Sequence, residues 1–368
     1  MATSGRMNSR QRAARQKRKI ILFVFEIIVI LIMAVILYLV MNKTSEGPKV
    51  ANLDPKNLAI PTEVIEKTEE GGTMHGYMNV ALFGLDAETD SQLYKGSRSD
   101  SIMIASVNLD TGDIKLVSVY RDSYLNIGPY KGNAEYYWKC NTAYAAGGAE
   151  QAVRMLNMNL DMDITDFVAV GYKGLSSVID GLGGIYLDIT QEEVAHLNNY
   201  QIGVSAVLKC DYTPVKEAGY QLLNGTQATA YCRIRATAGD DFKRTARQRA
   251  VLKAIEEQAK KTDLVTLTKV FNDCIGNIYT SIDSKDILDL IGNIAKYSIV
   301  EEAGFPQEDL RTTGNIGAKG SCVIPQDLES NVIWLHQFLF DDDDYTVTDS
   351  VKEYGSVIEA ETSQYLRK

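Results

Sequence analysis

The sequence predicts an α/β protein: a layered α-β-α domain with a central mixed sheet, preceded by one transmembrane helix. Short apolar runs typical of buried strands alternate with longer segments of helical spacing, which is the pattern of layered α/β domains. The turn Asp110-Thr-Gly-Asp113 separates two of these strands and predicts a hairpin between them. An apolar run, Ile20–Met41, stands before the domain. At about 1.5 Å per residue it is long enough to cross a hydrocarbon core of about 30 Å.

The N-terminal end predicts the orientation in the membrane. The first nineteen residues carry seven basic side chains and no acidic one. Because basic flanks of a membrane helix stay in the cytoplasm, residues 1–19 are expected to be a cytoplasmic tail and residues 20–41 an uncleaved signal anchor with its N-terminus inside. A cleaved signal peptide is the alternative, but Tyr38–Lys43 offers no small-residue cleavage site. The sequence therefore predicts a single-pass protein of the cell membrane with an extracytoplasmic domain.

The charge balance argues against a nucleic-acid partner. Without the seven basic residues of the tail, 31 of the 38 basic residues remain against 48 acidic ones, a formal net charge of −17. A surface of this charge repels nucleic acid. The basic tail could itself bind nucleic acid, but a short arm held against a membrane is poorly placed for it.

Residues 42–76 hold prolines, glycines and many polar residues and are predicted to be a stalk, so the folded domain is expected at 77–368. Within it, the motifs occupy 77–255, helices and an edge strand complete the domain over 256–340, and 341–368 form an acidic tail. The run Asp341–Asp344 is expected to be a solvated loop rather than a calcium site.

The individual elements follow from the local pattern. Buried strands are expected at Tyr77–Gly84, Ser101–Asn108, Ile114–Tyr120, Asp166–Gly171 and Gly183–Ile189. Helical spacing is found at Ala149–Leu160, Leu175–Leu182, Leu223–Tyr231, Thr245–Lys261, Leu264–Asn277, Lys285–Tyr297 and Leu328–Phe340.

Cysteine and histidine usage limits the chemistry. Five cysteines in an exported domain form at most two disulfides, and the pairing is open, with Cys274–Cys322 as the bridge we expect. Cys140 and Cys232 have apolar neighbours and are expected in the core. The three histidines are far apart in sequence, which argues against a histidine-based nucleophile or a zinc site.

Arginine is concentrated in one place. Of the ten arginines beyond residue 19, half lie within 231–249: Arg233, Arg235, Arg244, Arg247 and Arg249. A guanidinium matches phosphate or carboxylate oxygens in pairs, so this concentration indicates an anionic ligand. The alternative is a solvated helix face with arginines paired to nearby acids.

Further arginines and aspartates stand at predicted strand ends. Asp86 follows the first strand, Arg98 and Asp100 open the second, and Arg121 and Asp122 close the third. A hairpin brings the start of its first strand beside the end of its second, so Asp100 and Arg121 should be neighbours. Ligand sites of α/β folds collect at strand ends, although ordinary salt-bridged turn residues would give the same pattern.

Eight motifs in order resemble the LytR-CpsA-Psr family of bacterial cell-wall ligases, over about residues 77–255. They are Phe83-Gly-Leu-Asp86, Arg98-Ser-Asp-Ser101, Val119-Tyr-Arg-Asp122, Cys140-Asn-Thr-Ala-Tyr-Ala-Ala-Gly-Gly148, Asp180-Gly-Leu-Gly-Gly184, Leu223-Asn-Gly-Thr-Gln-Ala228, Tyr231-Cys-Arg-Ile-Arg235 and Asp241-Phe-Lys-Arg-Thr-Ala-Arg-Gln248. The sequence departs from the family pattern at Tyr120, Ser123, Cys140, Cys232 and Lys243. The charged residues of the family motifs are unaffected by these departures.

The resemblance implies transfer of a glycopolymer from a polyprenyl-pyrophosphate lipid onto peptidoglycan. The acceptor would be a sugar hydroxyl, the C6 hydroxyl of N-acetylmuramic acid, with Mg²⁺ as cofactor. Mg²⁺ is usually held by one or two carboxylates plus phosphate oxygens, and the resemblance and strand-end positions assign it to Asp86 and Asp100. Phosphate would be bound by Arg121, Arg233, Arg235, Arg244 and Gln248.

Roles for the remaining charged residues are less fixed. Arg98 would contact phosphate or orient Asp86, and the two roles are not separable from sequence. Asp241 is the candidate general base, and Asp122 is expected to orient Arg121. Arg247 lies one residue off the helical face shared by Arg244 and Gln248 and is ranked below them.

Two points stay open. Val168, Val170, Leu175 and Ile179 could line an apolar groove for the lipid tail, although ordinary core packing is the commoner role of such residues. The same site would also serve a polyprenyl-pyrophosphate hydrolase, and a non-catalytic membrane-anchored regulator or binding protein is the alternative from another class. The identity of the glycopolymer and the oligomeric state do not follow from the sequence.

Overall fold

The computed structural model describes residues 49–235 and 240–366. Their strands are β1 (Lys49–Val50), β2 (Tyr77–Leu85), β3 (Ser99–Asn108), β4 (Asp113–Val119), β5 (Tyr124–Asn126), β6 (Tyr137–Lys139), β7 (Asp166–Val170), β8 (Ile185–Ile189), β9 (Gly219–Leu223), β10 (Ile278–Thr280), β11 (Ser298–Phe305), β12 (Arg311–Asn315) and β13 (Ser321–Pro325). The α-helices are α1 (Thr62–Thr68), α2 (Thr142–Leu160), α3 (Tyr172–Gly181), α4 (Gln191–Leu208), α5 (Gly225–Tyr231), α6 (Asp240–Lys261), α7 (Leu264–Cys274), α8 (Ser284–Gly292), α9 (Leu328–Phe340) and α10 (Asp349–Thr362).

Seven strands form one mixed sheet in the order β1-β10-β7-β2-β3-β4-β11. The predicted hairpin is confirmed: β3 and β4 are antiparallel and pair Val107 with Ile114. β2 runs parallel to β7, and β4 runs parallel to β11. The α/β class with a central mixed sheet is therefore as expected. The remaining paired strands form three two-stranded ribbons, β5-β6, β8-β9 and β12-β13.

Alternation along β2 and β3 sends side chains to two different layers. Phe83, Ile102 and Ile104 pack into the main core with residues of α2, α9 and α10. Leu82 and Met103 face the opposite side, toward α3 and α6, where they line a pocket. A second core lies among α3, α4, α5, α6 and the β8-β9 ribbon. The layered arrangement is thus helix, sheet, helix.

The predicted stalk is wrong for its described part, because residues 49–76 belong to the domain. β1 adds a strand to the edge of the sheet by pairing with β10. Leu58, Val64 and Met74 are almost fully buried in the main core. These few apolar residues are widely spaced among polar residues and prolines, so composition concealed their burial.

The predicted acidic tail, 341–368, also packs into the fold. Tyr345, Val347, Val351 and Ile358 are buried in the main core, the last two on α10. The acidic run is likewise not fully solvated, since Asp342 is buried and accepts hydrogen bonds from Lys67 and Thr73. One carboxylate of the acidic run thus joins the end of α9 to the segment that holds Lys67 and Thr73.

The expected Cys274–Cys322 bridge is wrong, since all five cysteines are free thiols. Cys274 ends α7, whereas Cys322 lies in β13 against the main core. Burial raises the pKa of both thiols to about 11. They are small apolar side chains of the interior, as Cys140 and Cys232 were expected to be.

Two predicted segments lie outside the described residues: the basic tail, 1–19, and the transmembrane anchor, 20–41. Across 49–235 and 240–366, every helix is too short or too polar to span a bilayer.

Candidate functional site

The charged strand ends predicted from sequence meet at one edge of the sheet. The carboxyl ends of β2, β4 and β7 point to this edge, and antiparallel β3 begins there. The backbone N–H of Asp86 donates to the carbonyl of Arg98 at 3.4 Å, which joins the segment after β2 to the start of β3. This is where ligand sites of α/β sheets are found.

A β-bulge aims Asp100 into the site. Gly84 pairs with Ser101 and the next residue, Leu85, pairs with Ser99, so Asp100 is the extra residue on β3. A bulge breaks the regular alternation and redirects the side chain it carries. Gly84 is required for the close pairing, because a Cβ there would lie 2.9 Å from the Ser101 Cβ.

Asp100 binds three arginines from three segments of the chain. Its carboxylate lies 2.9 Å from Arg121 Nη1, 3.1 Å from Arg235 Nη2 and 2.9 Å from Arg244 Nη2. Arg244 also donates to the Asp100 backbone carbonyl at 2.9 Å. The prediction that Asp100 and Arg121 are neighbours is confirmed.

The same three arginines surround Asp241 at longer range. Asp241 Oδ1 lies 3.5 Å from Arg121 Nε, 3.8 Å from Arg235 Nε and 3.5 Å from Arg244 Nη1. Three guanidinium groups thus share two carboxylates. We call these five residues the arginine cluster; it carries one unbalanced positive charge.

Burial and charge act in opposite directions on the arginine cluster. Burial by itself would raise the pKa of Asp100, but Arg244, Arg121 and Arg235 outweigh it and hold that pKa below its usual value. Burial would lower the pKa of Arg121, yet Asp100, Asp122 and Asp241 raise it. Burial lowers the pKa of Arg244, helped by the other arginines. The ion pairs therefore favour the charged forms of Asp100 and Arg121.

Asp86 lies at a second corner with Arg233. The Tyr172 hydroxyl donates a hydrogen bond to Asp86 Oδ1, and Arg233 Nη2 lies 4.0 Å from the same oxygen. The Arg233 guanidinium stacks over the Tyr172 ring at 4.6 Å. Because the Asp86 side chain is 51% exposed, a cation can reach its free oxygen.

Arg98 is exposed beside this corner, and within the described ranges its guanidinium makes no ion pair. This position is compatible with the first predicted role, contact with a phosphate. For the second role, orientation of Asp86, the contact is made by the backbone carbonyl of Arg98, which accepts from the backbone N–H of Asp86, and not by the guanidinium.

Asp122 holds Arg121 from the side, as predicted. Its Oδ2 lies 3.6 Å from Arg121 Nη2, and its Oδ1 lies 3.2 Å from Lys139 Nζ on β6. Lys139 was not predicted. It follows an aromatic run, and its role becomes visible from the pairing of β5 with β6, which sequence alone did not indicate.

An apolar pocket of about 260 Å³ opens at the arginine cluster. Its polar end holds Asp100, Arg233, Arg244 and Gln248, and its walls come from β2, β3, β7, α3 and α6. Of the four residues that could line an apolar groove, Val168, Val170 and Leu175 do so, whereas Ile179 is buried in the second core. Its apolar walls include Leu82, Met103, Val168, Val170, Leu175, Val178, Leu252 and Ile255.

The other residues of the arginine-rich stretch separate into two groups. Gln248 lines the pocket beside Arg244 and donates to the Cys232 carbonyl at 3.5 Å, which fits the shared helical face. Arg247 turns away and pairs with buried Glu193 at 2.6 Å. Arg249 lies 3.3 Å from Glu302 on β11. The lower rank given to Arg247 matches this geometry.

Tyr172 is a site residue that the sequence analysis missed. Its ring lies between Arg233 and the pocket, and its hydroxyl contacts Asp86. It follows β7 directly, and β7 is parallel to β2, so the rule that sites collect at carboxyl ends of strands would have found it.

Several motifs position the site rather than contact it. Asn224 caps α5 by accepting from Gln227 N, and the Gln227 side chain accepts from Asn224 N in return. Gly225 N donates to Asp180 Oδ1 at 2.7 Å, and a Cβ on Gly225 would lie 2.2 Å from the Ser176 carbonyl oxygen. This close contact of α5 with α3 fixes where Arg233 and Arg235 emerge.

The described residues include no group of three or more His, Cys, Asp or Glu side chains that would enclose a metal ion. Asp86 offers a free oxygen, whereas the Asp100 oxygens already accept from arginines. Such a donor set suits a cation that takes most of its ligands from a phosphate and water, as Mg²⁺ does.

Comparison with known proteins places this geometry in context. The profile of the LytR_cpsA_psr family matches residues 37–327. Biofilm regulatory protein A of Streptococcus mutans is 29% identical over 222 residues, which cover 58% of this chain and 52%, about half, of that protein. Polyisoprenyl-teichoic acid–peptidoglycan teichoic acid transferase TagU of Bacillus mycoides is 27% identical over 285 residues, 75% of this chain and 84% of its own.

A solved structure shares the fold. It is that of YwtF (TagT) of Bacillus subtilis, a LytR-CPS2A-psr family protein with bound octaprenyl pyrophosphate lipid. It matches with a TM-score of 0.52 and 22% identity, over 74% of this chain and 93% of that one. Because the family profile covers most of the sequence, this chain belongs to the LytR_cpsA_psr family.

Proposed function

We propose that this protein is a phosphotransferase that moves a glycopolymer from a polyprenyl-pyrophosphate carrier to a sugar hydroxyl of peptidoglycan. One observation carries the proposal: the arginine cluster, with its unbalanced positive charge, opens directly onto an apolar pocket. A ligand for such a site has an anionic head and an apolar tail. The name of the TagU relative and the lipid in the TagT structure fit the same substrate class.

In this proposal the arginines bind the two phosphates. Arg244 and Arg233 lie at the pocket, and Arg121 and Arg235 lie beside them through Asp100. Gln248 adds a neutral donor, and Arg98 reaches the phosphates from the rim. Phosphoryl transfer is accelerated mainly by positioning and charge neutralisation, which this array supplies.

Mg²⁺ is the cofactor we propose, held by Asp86 and Asp100 together with phosphate oxygens. Asp86 would offer its exposed oxygen to the ion, and Asp100 would be the second carboxylate. When bound, Mg²⁺ neutralises charge on the pyrophosphate. The Tyr172 hydroxyl holds the other side of the Asp86 carboxylate in place.

The acceptor hydroxyl needs a proton acceptor, and Asp241 is our candidate because it is a carboxylate beside Arg121 and Arg235 in the arginine cluster. The hydroxyl oxygen bonds to the phosphorus nearest the glycopolymer, the bond to the bridging oxygen breaks, and polyprenyl phosphate leaves. Asp122 orients Arg121 through the contact described above.

The decisive experiment uses the full-length chain in detergent with a synthetic polyprenyl-pyrophosphate-linked sugar, with and without Mg²⁺ and peptidoglycan oligomers. Mass spectrometry follows the products. A Mg²⁺-dependent sugar–phosphate–peptidoglycan adduct is the expected result. Lipid release without an adduct would favour the hydrolase, and no turnover would favour a binding or regulatory role.

The membrane topology is a separate part of the proposal. We propose that residues 20–41 anchor the chain in the bacterial cell membrane, with residues 1–19 inside and the α/β domain outside. External protease should digest the domain in intact protoplasts while a tag at the N-terminus stays protected. Protection of both ends would contradict this orientation.

A further inference from the structure

We propose that the β5-β6 ribbon carries a binding surface for the sugar rings of the acceptor glycan strand. The inference rests on the proposed transferase function and specifies where the second substrate lies. The surface consists of Tyr130, Tyr136 and Trp138 with Lys131, and we call it the aromatic platform.

Three aromatic rings form a half-buried cluster, in which Tyr130 and Tyr136 meet edge to face at 78° and Trp138 is tilted from Tyr136 by 33°. The centroids of Tyr130 and Tyr136 are 5.2 Å apart, and those of Tyr136 and Trp138 are 5.7 Å apart. All three rings pack on the main core by one side and are partly exposed on the other. Partly exposed tyrosine and tryptophan rings offer apolar faces beside polar edges, which is the surface that the C–H faces of pyranose rings pack against.

A cation covers the same rings. Lys131 Nζ lies 5.2 Å from the Tyr130 ring and 5.9 Å from each of the Tyr136 and Trp138 rings. Its side chain is exposed, and within the described residues it has no carboxylate partner. An amino-sugar strand with carboxylate substituents matches this combination of ring faces and one positive charge.

The loop that bears the platform is already ordered. Gln151 Nε2 donates to the carbonyls of Ile127 and Pro129 at 2.8 and 2.9 Å. Tyr130 and Asn133 exchange backbone hydrogen bonds at 3.0 Å. A preformed surface loses little conformational entropy when it binds.

The position of the aromatic platform favours the acceptor strand over the donor lipid as its ligand. Trp138 precedes Lys139, whose ammonium lies 3.2 Å from Asp122 next to Arg121. Arg121 and Asp122 are not among the residues that line the apolar pocket. An acceptor strand on the platform can therefore reach Asp122 and Arg121 without entering the pocket that would take the donor tail.

The test measures binding and turnover separately, on the full-length chain in detergent. The probe is a peptide-free oligomer of N-acetylglucosamine and N-acetylmuramic acid, titrated by calorimetry. Trp138→Ala and Tyr136→Ala should each weaken binding about tenfold, the size of one lost ring contact. Tyr220→Ala is the matched control, since that ring is 67% exposed and stacks on Tyr186 at 5.4 Å in another ribbon.

Kinetics supply the second readout. The platform variants should raise KM for the peptidoglycan oligomer about tenfold and leave kcat and the donor KM unchanged. Equal binding by Trp138→Ala and Tyr220→Ala overturns the inference, and so does a rise confined to the donor KM. If the alanine variants fail to fold, Lys131→Glu tests the same surface from an exposed position, with Lys285→Glu as its control.

The two proposals fail in different ways. Oligomer binding that depends on Trp138, without any transfer, refutes the transferase and leaves the platform standing. Transfer that ignores all platform variants refutes the platform and leaves the transferase standing.

Discussion

Arg244 and Arg247 lie three residues apart on α6, and their side chains are 4% and 6% exposed. Arg244 belongs to the arginine cluster, in which three cations share two carboxylates. Arg247 pairs with Glu193 at 2.6 Å and donates to the Ile234 carbonyl at 3.2 Å. Arg244 and Arg247 are thus equally buried, but the charge balance around them differs. A balanced pair stabilises the fold, whereas the unbalanced cluster retains charge for a ligand.

The largest expected effect comes from breaking the balanced pair. Arg247→Ala should lower the free energy of unfolding by about 3–5 kcal/mol, because it leaves Glu193 buried without its partner. Urea unfolding of the chain in detergent measures this. Turnover per folded molecule should change little. Glu193→Leu combined with Arg247→Met should recover most of the loss, and a stable single variant would contradict the role given to the pair.

Breaking the unbalanced cluster should affect rate instead of stability. Arg121→Ala should lower the transfer rate about 10²-fold or more, since one phosphate-binding charge is lost. The fold should survive, because Arg235 and Arg244 still pair with Asp100. Asp100→Ala should likewise abolish transfer. Unchanged turnover in either variant would refute the site assignment, and Arg249→Ala, directed at Glu302, is a matched control.

Acid should weaken the balanced pair. Burial would raise the pKa of Glu193, but hydrogen bonds from Thr190 and Arg247 hold it below its usual value of 4.5. A carboxyl with a lowered folded pKa stabilises the fold above its unfolded pKa and loses that contribution as pH falls through the folded value. Below about pH 4.5, Glu193→Gln should make the decline in stability shallower by at most about 1.4 kcal/mol per pH unit. An identical slope would contradict this.

The smallest effect is expected at the Asp86 corner. Tyr172→Phe removes the hydroxyl that donates to Asp86 and keeps the ring under Arg233. The lost hydrogen bond is worth about 0.5–1.5 kcal/mol, so transfer should fall a few-fold up to about tenfold. If Asp86 binds Mg²⁺, the Mg²⁺ concentration for half-maximal rate should rise as well. Tyr186→Phe, on an exposed ring elsewhere, should change neither quantity.

Local patterns predicted much of the fold. The helix at Leu328–Phe340 was predicted to the residue, and the hairpin turn at 110–113 led directly to the contact of Asp100 with Arg121. Both depend on short-range chemistry: helical spacing in one case and turn residues in the other. The concentration of arginine at 231–249 in an acidic chain, the charged residues at predicted strand ends and the eight motifs together led to the charged positions.

Long-range packing accounts for what was missed. Leu58 and Met74 are isolated apolar residues in a polar segment, and their burial depends on a core built by distant strands. The strand at 185–189 was found, but its place in a ribbon with β9 depends on a partner more than thirty residues away. Tyr172 and Lys139 join the site through pairings of β7 and β6, which carry no local signal.

The bulge at Asp100 places a constraint on chain length as well as on residue identity. Asp100 points into the cluster because β3 has one residue more than β2 across that step. A deletion between Arg98 and Ser101 would restore regular pairing and remove the offset that brings one carboxylate to three arginines. We therefore expect this short segment to tolerate substitutions beside Asp100 but not a change in its number of residues.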